Sequence, residues 1–191
     1  ILVVAADSLS KTVDWKDRNT CVLFGDAATA TLVSKVETPT ACLFEVMNTC
    51  FDKELDLRLD NNAFSEQRHF IEMNGKKVFK LAVEQMSQNI EAILERKKMT
   101  LEDIAMIVPH QANQRILDAI AQRLQCPDEK LFTCIANFGN TSAASIPIAL
   151  KTLSYQRTFP TGSNLVLSAF GAGFTSGAMH WQLSEHQSLF R

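Results

Sequence analysis

Three points in this chain carry residue types suited to chemistry, and each follows an apolar run. His110 comes directly after Ile104-Ala105-Met106-Ile107-Val108-Pro109. Asn140 stands in Gly139-Asn140-Thr141-Ser142, and Phe170-Gly171-Ala172-Gly173-Phe174 follows the apolar run 164–169. An imidazole can donate, accept or carry a proton near neutral pH. A carboxamide donates without titrating. The backbone N–H groups of a glycine-rich turn can face an anion or oxyanion. In open α/β sheets ligands bind beyond the carboxyl ends of strands, so the three points are candidates for one site. Each also fits an ordinary structural role: a histidine satisfied by backbone at a strand end, an asparagine in a turn or capping a helix, and a plain strand-to-strand turn. Gln111 and Asn113 add polar groups beside His110.

A second group is basic. Asn74-Gly75 precedes a long helical pattern whose first turns hold Lys76, Lys77 and Lys80. Positive charge there opposes the helix macrodipole. It suits either a solvated face or a docking site for a phosphate or acidic partner, and Arg115 and Arg123 could join the same patch. The five cysteines, Cys21, Cys42, Cys50, Cys126 and Cys134, form no CxxC, and the four histidines are scattered. That spacing argues against a disulfide framework and against a zinc site. Most of these cysteines lie among apolar residues, which suits core packing in a reducing cytoplasm.

Composition bounds the rest. The chain has 191 residues, 46% of them hydrophobic, and a net charge of -2. That is enough apolar surface for a packed core of about one domain. No stretch approaches the ~20 consecutive apolar residues of a membrane span. The charge disfavours non-specific nucleic-acid binding. The chain opens on Ile1 with the run Ile1-Leu2-Val3-Val4-Ala5-Ala6, which is expected to be a buried strand entered partway, the remainder of something longer.

The elements that would position these groups follow from periodicity. Residues 1–36 are expected to form two strands, Ile1–Ala6 and Cys21–Phe24, around a polar turn at Ser8–Thr20, with the small residues Ala27–Thr31 allowing close packing. Residues 38–68 suggest a strand or two with loops. Phe79, Val83, Met86, Ile90, Ile93 and Leu94 recur every three or four residues, predicting a helix over Lys76–Lys97. Thr100 and Asp103 resemble a capping box. A strand at Ile104–Val108 and a helix at Asn113–Leu124 follow. A helix over Thr141–Leu153 starts near Ala144 because of Pro147, and strands follow at Asn164–Ala169 and Ser176–Gln182. This alternation implies an α/β layered fold with both sheet faces covered.

Together the motifs resemble the second half of beta-ketoacyl-acyl-carrier-protein synthase III. The residues that carry the resemblance are Val108-Pro109-His110-Gln111-Ala112-Asn113 with Arg115-Ile116, and Gly139-Asn140-Thr141-Ser142-Ala143-Ala144-Ser145-Ile146-Pro147. Met73-Asn74-Gly75 with Val78-Phe79-Lys80, Phe170 to Thr175, Asp17-Arg18 and Phe24-Gly25-Asp26 agree in order and spacing. The resemblance implies a thiolase-like fold, with residues 1–37 ending a first α/β half, 38–68 connecting, and 69–191 forming the catalytic second half. It implies a homodimer, without metal, that condenses a short acyl-CoA such as acetyl-CoA with malonyl-acyl carrier protein to start fatty-acid synthesis. Acyl-CoA enters as substrate, and no separate cofactor is implied.

By the same resemblance His110 and Asn140 are catalytic, Phe170 gates the site, and the backbone N–H at Ala172 is an oxyanion donor. Arg18 would sit near the CoA adenine; Asn74, Gly75, Phe79, Ala112 and Asn113 would line the pantetheine tunnel; Lys80 and Arg115 would receive the acidic carrier protein. Several residues depart from the family pattern. None of the five cysteines has the context of the family's nucleophile, which belongs to the first half. Lys76 stands where an uncharged residue is usual, Ser176 replaces a common Trp, and Gly25–Ala30 is poorer in glycine. The alternatives are a related acyltransferase of secondary metabolism and a non-catalytic subunit.

Overall fold

The computed structural model describes residues 1–34, 43–59 and 69–183. Its centre is a four-stranded sheet built from β3 (Leu43–Thr49), β6 (Ile104–Pro109), β7 (Asn164–Gly171) and β8 (Thr175–Gln182). The strand order is β3-β8-β7-β6. The β6–β7 pair is parallel and the other two pairs are antiparallel. Pro109, which cannot donate to a ladder, occupies the last position of β6, where its missing N–H costs least.

Both faces of this sheet are buried, which explains why β6 and β7 are apolar almost throughout. Ile104, Ile107 and Val166 belong to one core, and Met106, Val108 and Leu165 to the other. Alternation along a strand sends successive side chains to opposite faces. A register irregularity between Ile104 and Met106 accounts for Ile104 and Ile107 sharing a face although three apart.

The first core is closed by α1 (Gly75–Lys97) and α2 (Gln114–Leu124). Val78, Ala82, Met86, Ile90 and Ile93 of α1 and Ile116, Leu117, Ile120 and Leu124 of α2 are buried in it. The predicted periodicity is thus present, with α1 starting one residue earlier, at Gly75. Asn74 caps it by accepting the N–H of Lys77 at 3.4 Å, and Lys98 ends it in the left-handed region. The second core is closed by α4 (Ser145–Gln156), through Ala149 and Leu153. Pro147 falls in the first turn of α4, where a helix tolerates it. The Thr100–Asp103 box exists but caps a single 3-10 turn, Leu101–Asp103, rather than a helix.

Beyond α4 lies a second sheet layer, the antiparallel pair β1 (Leu2–Asp7) and β2 (Ala27–Leu32). Both strands pack against α4 or the 3-10 turn Ser142–Ala144 that precedes it. The small side chains at Ala27, Ala28 and Ala30 permit that approach. Ile1, Leu2, Val4 and Leu32 stand exposed on the pair.

One expected strand is absent. Cys21–Leu23 are turns and Phe24 makes only an isolated bridge to Asn140, and the small-residue run Ala27–Leu32 supplies the strand instead. Asp17 causes this: its carbonyl accepts the N–H groups of Thr20 and Cys21, and its carboxylate accepts from Asn19 and Thr20. Local turn bonds thereby consume the donors a strand would use. In segment 38–68, β3 forms the sheet edge against β8, and β4 (Leu57–Leu59) pairs with β5 (Ile71–Met73). Residues 38–42 and 60–68 of that segment lie outside the described residues. No helix among the described residues is long and apolar enough to cross a membrane.

Candidate active site

The parallel pairing of β6 with β7 sets His110. At the carboxyl end of β6 its backbone N–H donates to the carbonyl of Ser168 at 2.7 Å, which carries the ladder one residue past Pro109. The chain then turns sharply, and Gln111 pins the turn. The Gln111 side chain donates to the carbonyls of Pro109 and Phe132 and accepts the N–H of Cys134, so this polar residue next to His110 is structural. On the ring itself, Nδ1 lies 2.5 Å from the hydroxyl of Ser145. Burial lowers the imidazole pKa from the ordinary histidine value of 6.5 to about 4, so the ring is neutral at pH 7.

Asn140 is held by a different device. It follows α3 (Ile135–Phe138) and Gly139, whose φ of +68° lies where a side chain would be strained. Its N–H donates to Leu23 at 2.7 Å and its carbonyl accepts from Gly25 at 2.9 Å, so the 23–25 segment grips it on both sides. Gly25 permits this because a Cβ there would lie 2.2 Å from the carbonyl oxygen of Phe138. The side-chain Oδ1 accepts the N–H of Ser142 at 2.9 Å. With Oδ1 engaged, the amide's donor nitrogen is the half left for a ligand.

His110 and Asn140 line one cavity of about 740 Å³, with Phe170, Gly171 and Ala172 at its rim. The three points singled out by sequence therefore meet. Phe170 is buried and stacks on Phe174 with ring centroids 5.1 Å apart, which fixes the β7–β8 turn that presents Ala172. The remaining wall is mostly apolar, including Val46, Met47, Leu57, Ile71, Leu167 and Met179.

The other nominated residues do not line this cavity. Asn74 and Asn113 are helix N-caps, the latter accepting the N–H of Arg115 at 2.9 Å. Gly75 opens α1, Phe79 packs partly buried on the first core, and Ala112 does likewise. Arg18, Lys80 and Arg115 are exposed. Lys77 is ion-paired to Glu54 and lies 3.5 Å from Asp56. Sequence reasoning missed Ser145, named only within the run Gly139–Pro147, and the grip of residues 23–25 on Asn140. The glycine in Phe24-Gly25-Asp26 was the one local signal for that grip.

No described cysteine lines the cavity. Burial pushes the Cys134 thiol up to about 11 and raises Cys126 as well, so neither is a thiolate at neutral pH. Cys42 lies outside the described residues. Among the described residues no group of three or more His, Cys, Asp or Glu is arranged to hold a metal ion. Two neutral donors converging on a mostly apolar cavity, whose lining also includes Glu45, Arg58 and several hydroxyl residues, suit the stabilising of negative charge that develops on a substrate oxygen.

Known proteins resemble this chain in sequence and fold. The family described as 3-oxoacyl-[acyl-carrier-protein (ACP)] synthase III matches residues 1–49, and its C-terminal counterpart matches residues 94–183. The chain is 41% identical over 187 residues to the beta-ketoacyl-[acyl-carrier-protein] synthase III of Clostridium perfringens strain 13, covering 93% of this chain and 57% of that protein. It matches the crystal structure of 3-oxoacyl-[acyl-carrier-protein] synthase III from Aquifex aeolicus VF5 with a TM-score of 0.86 at 40% identity, over 95% of this chain and 57% of that one. The corresponding structure from Pseudomonas aeruginosa PAO1 gives 0.85 at 37% identity, over 96% of this chain and 58% of that one. The chain thus spans just over half the length of these relatives.

Two outcomes follow. His110 stays neutral down to about pH 4 in the folded chain. An unfolded histidine protonates near 6.5, so this group's contribution to stability, roughly 3 kcal/mol, is fully present above pH 6.5 and lost as pH falls from 6.5 to 4; an NMR titration of the ring checks the pKa. Gly25→Ala destabilises the fold by about 1–3 kcal/mol through overpacking against Phe138, measured by urea denaturation.

Proposed function

Since the chain belongs to the 3-oxoacyl-[acyl-carrier-protein] synthase III family and has its α/β thiolase-like fold, we propose that it is the His- and Asn-bearing part of an acyltransferase. That enzyme condenses a short acyl-CoA, acetyl-CoA in the simplest case, with malonyl-acyl carrier protein at the start of fatty-acid synthesis. The observation that carries this reading is the meeting of His110 and Asn140, both uncharged, at one mostly apolar cavity.

The chemistry uses that pair as follows. The bond between the malonyl α-carbon and its carboxylate breaks, and carbon dioxide leaves. The electron pair passes onto the thioester oxygen as an enolate. His110 and Asn140 donate hydrogen bonds to that oxygen. A neutral imidazole serves as donor without being consumed as an acid, and it does not stabilise the departing carboxylate as a cation would. The enolate carbon then attacks an enzyme-bound acyl thioester, and the backbone N–H at Ala172 stabilises the tetrahedral oxyanion. Collapse expels the thiolate and forms the 3-oxoacyl-carrier protein.

The thiol that holds the acyl group comes, in this proposal, from outside the described residues. The absence of any described cysteine at the cavity and two raised thiol pKa values support that. Arg18 receives the CoA adenine, and Asn74, Gly75, Phe79, Ala112 and Asn113 guide pantetheine. The exposed Lys80 and Arg115 meet the acidic carrier protein. The enzyme works as a cytoplasmic homodimer in which residues 1–37 complete a first thiolase-like half, 38–68 connect, and 69–191 form the second. The exposed apolar residues of β1 and β2 suit burial in such an assembly.

In the protein bearing this chain, His110→Ala or Asn140→Ala lowers malonyl-carrier-protein decarboxylation ~10²–10³-fold, followed as release of labelled carbon dioxide. The 191-residue chain incubated with radiolabelled acetyl-CoA takes up no stoichiometric covalent label; label on any of the five cysteines overturns the assignment of the nucleophile to another segment.

A further inference from the structure

Two hydrogen bonds meet at the hydroxyl of Ser145, the first residue of α4. Its Oγ lies 2.5 Å from His110 Nδ1 and accepts the backbone N–H of Gln111 at 3.4 Å. Ser145 is 2% exposed, at the wall of the cavity that His110 also lines. A serine hydroxyl has a single proton to give. Among the described residues Nδ1 is the one acceptor in reach of it. If Nδ1 carried the ring proton and donated it to Oγ, the hydroxyl proton would be buried with no partner. A buried polar group left unpaired costs more than a histidine tautomer preference. Only one arrangement satisfies every group: Gln111 N–H donates to Oγ, Oγ–H donates to Nδ1, and the ring proton sits on Nε2.

We propose that Ser145 is a positioning residue: its hydroxyl occupies Nδ1 and holds His110 as the Nε2–H tautomer, in the orientation that offers Nε2–H as the donor to the developing oxyanion. This rests on the role proposed above for His110. The geometry has a second use. The N-terminal end of α4 brings partial positive charge to the Nδ1 side, which disfavours an imidazolium there. Ser145 thus orients a neutral donor from the one direction in which a positive ring is unwelcome.

The test reads the tautomer directly. The 191-residue chain is labelled with ¹⁵N-histidine, and two-bond ¹H–¹⁵N correlation spectra are recorded at neutral pH, with His110 assigned from a His110→Gln sample. The expected wild-type pattern is Nε2–H alone. Ser145→Ala brings up a detectable Nδ1–H share for His110 while the signals of His69 and His180 stay in place. If the alanine variant does not fold, Ser145→Cys, whose thiol is a weak donor of similar size, reads the same change. Nδ1–H in the wild type, or an unchanged Nε2–H pattern in the variant, overturns the proposal. In the protein bearing this chain, Ser145→Ala lowers kcat for malonyl decarboxylation about tenfold with KM little changed. A wild-type protein inactive toward malonyl-carrier protein sinks the functional reading, while the tautomer spectrum still decides the role of Ser145.

Discussion

The structure depends on a close approach of two backbones. Where residues 23–25 meet residues 138–140, there is no room for even one added carbon on Gly25. That contact fastens Asn140 to a segment more than a hundred residues earlier in the chain. It also brings the β1–β2 layer down onto the start of α4. Since Ser145 opens α4 and touches His110, the same contact indirectly supports the other donor. A small-residue run beside a glycine is therefore a requirement of the site, although none of those residues takes part in chemistry.

Electrostatics completes what packing begins. A hydrogen-bond donor aimed at developing charge is most effective when it is dry and fixed in advance. Desolvation keeps the His110 ring uncharged, and Ser145 occupies the nitrogen that would otherwise be free to exchange roles. Asn140 is treated in parallel, with its acceptor half tied to Ser142 and its donor half left for a ligand. Both side chains are thereby turned into donors by a neighbour that satisfies the opposite function. Gln111 is the contrasting case, since its amide is fully used in holding the backbone turn.

Much of this was legible in the chain because local signals were strong. The 3.6-residue period of α1 and α2 marked their buried faces, and the largely apolar runs of β6 and β7 marked strands covered on both sides. The three polar points did converge, although Asn140 follows the helix α3 rather than a strand. Cys21–Phe24 misled because apolar character alone did not weigh the turn-forming carboxylate of Asp17 four residues before it. Ser145 was not identified because its partner lies 35 residues away, and no local pattern encodes a hydrogen bond across two elements. Lys77 likewise looked like part of a basic patch until the structure placed Glu54 and Asp56 beside it.

The parallel pairing of β6 and β7 has a consequence in time as well as space. Parallel neighbours need a long crossover, here one that includes α2, α3 and α4. Loop-closure entropy must be met before such a contact returns any stabilisation, so pairings of this kind form late and slowly. The grip of residues 23–25 on residue 140 closes a longer loop still. The helices rest on local contacts, whereas the meeting of His110 and Asn140 needs these distant ones. In this architecture the convergence of His110 and Asn140 rests on contacts between residues far apart in sequence, whose closure costs the most chain entropy.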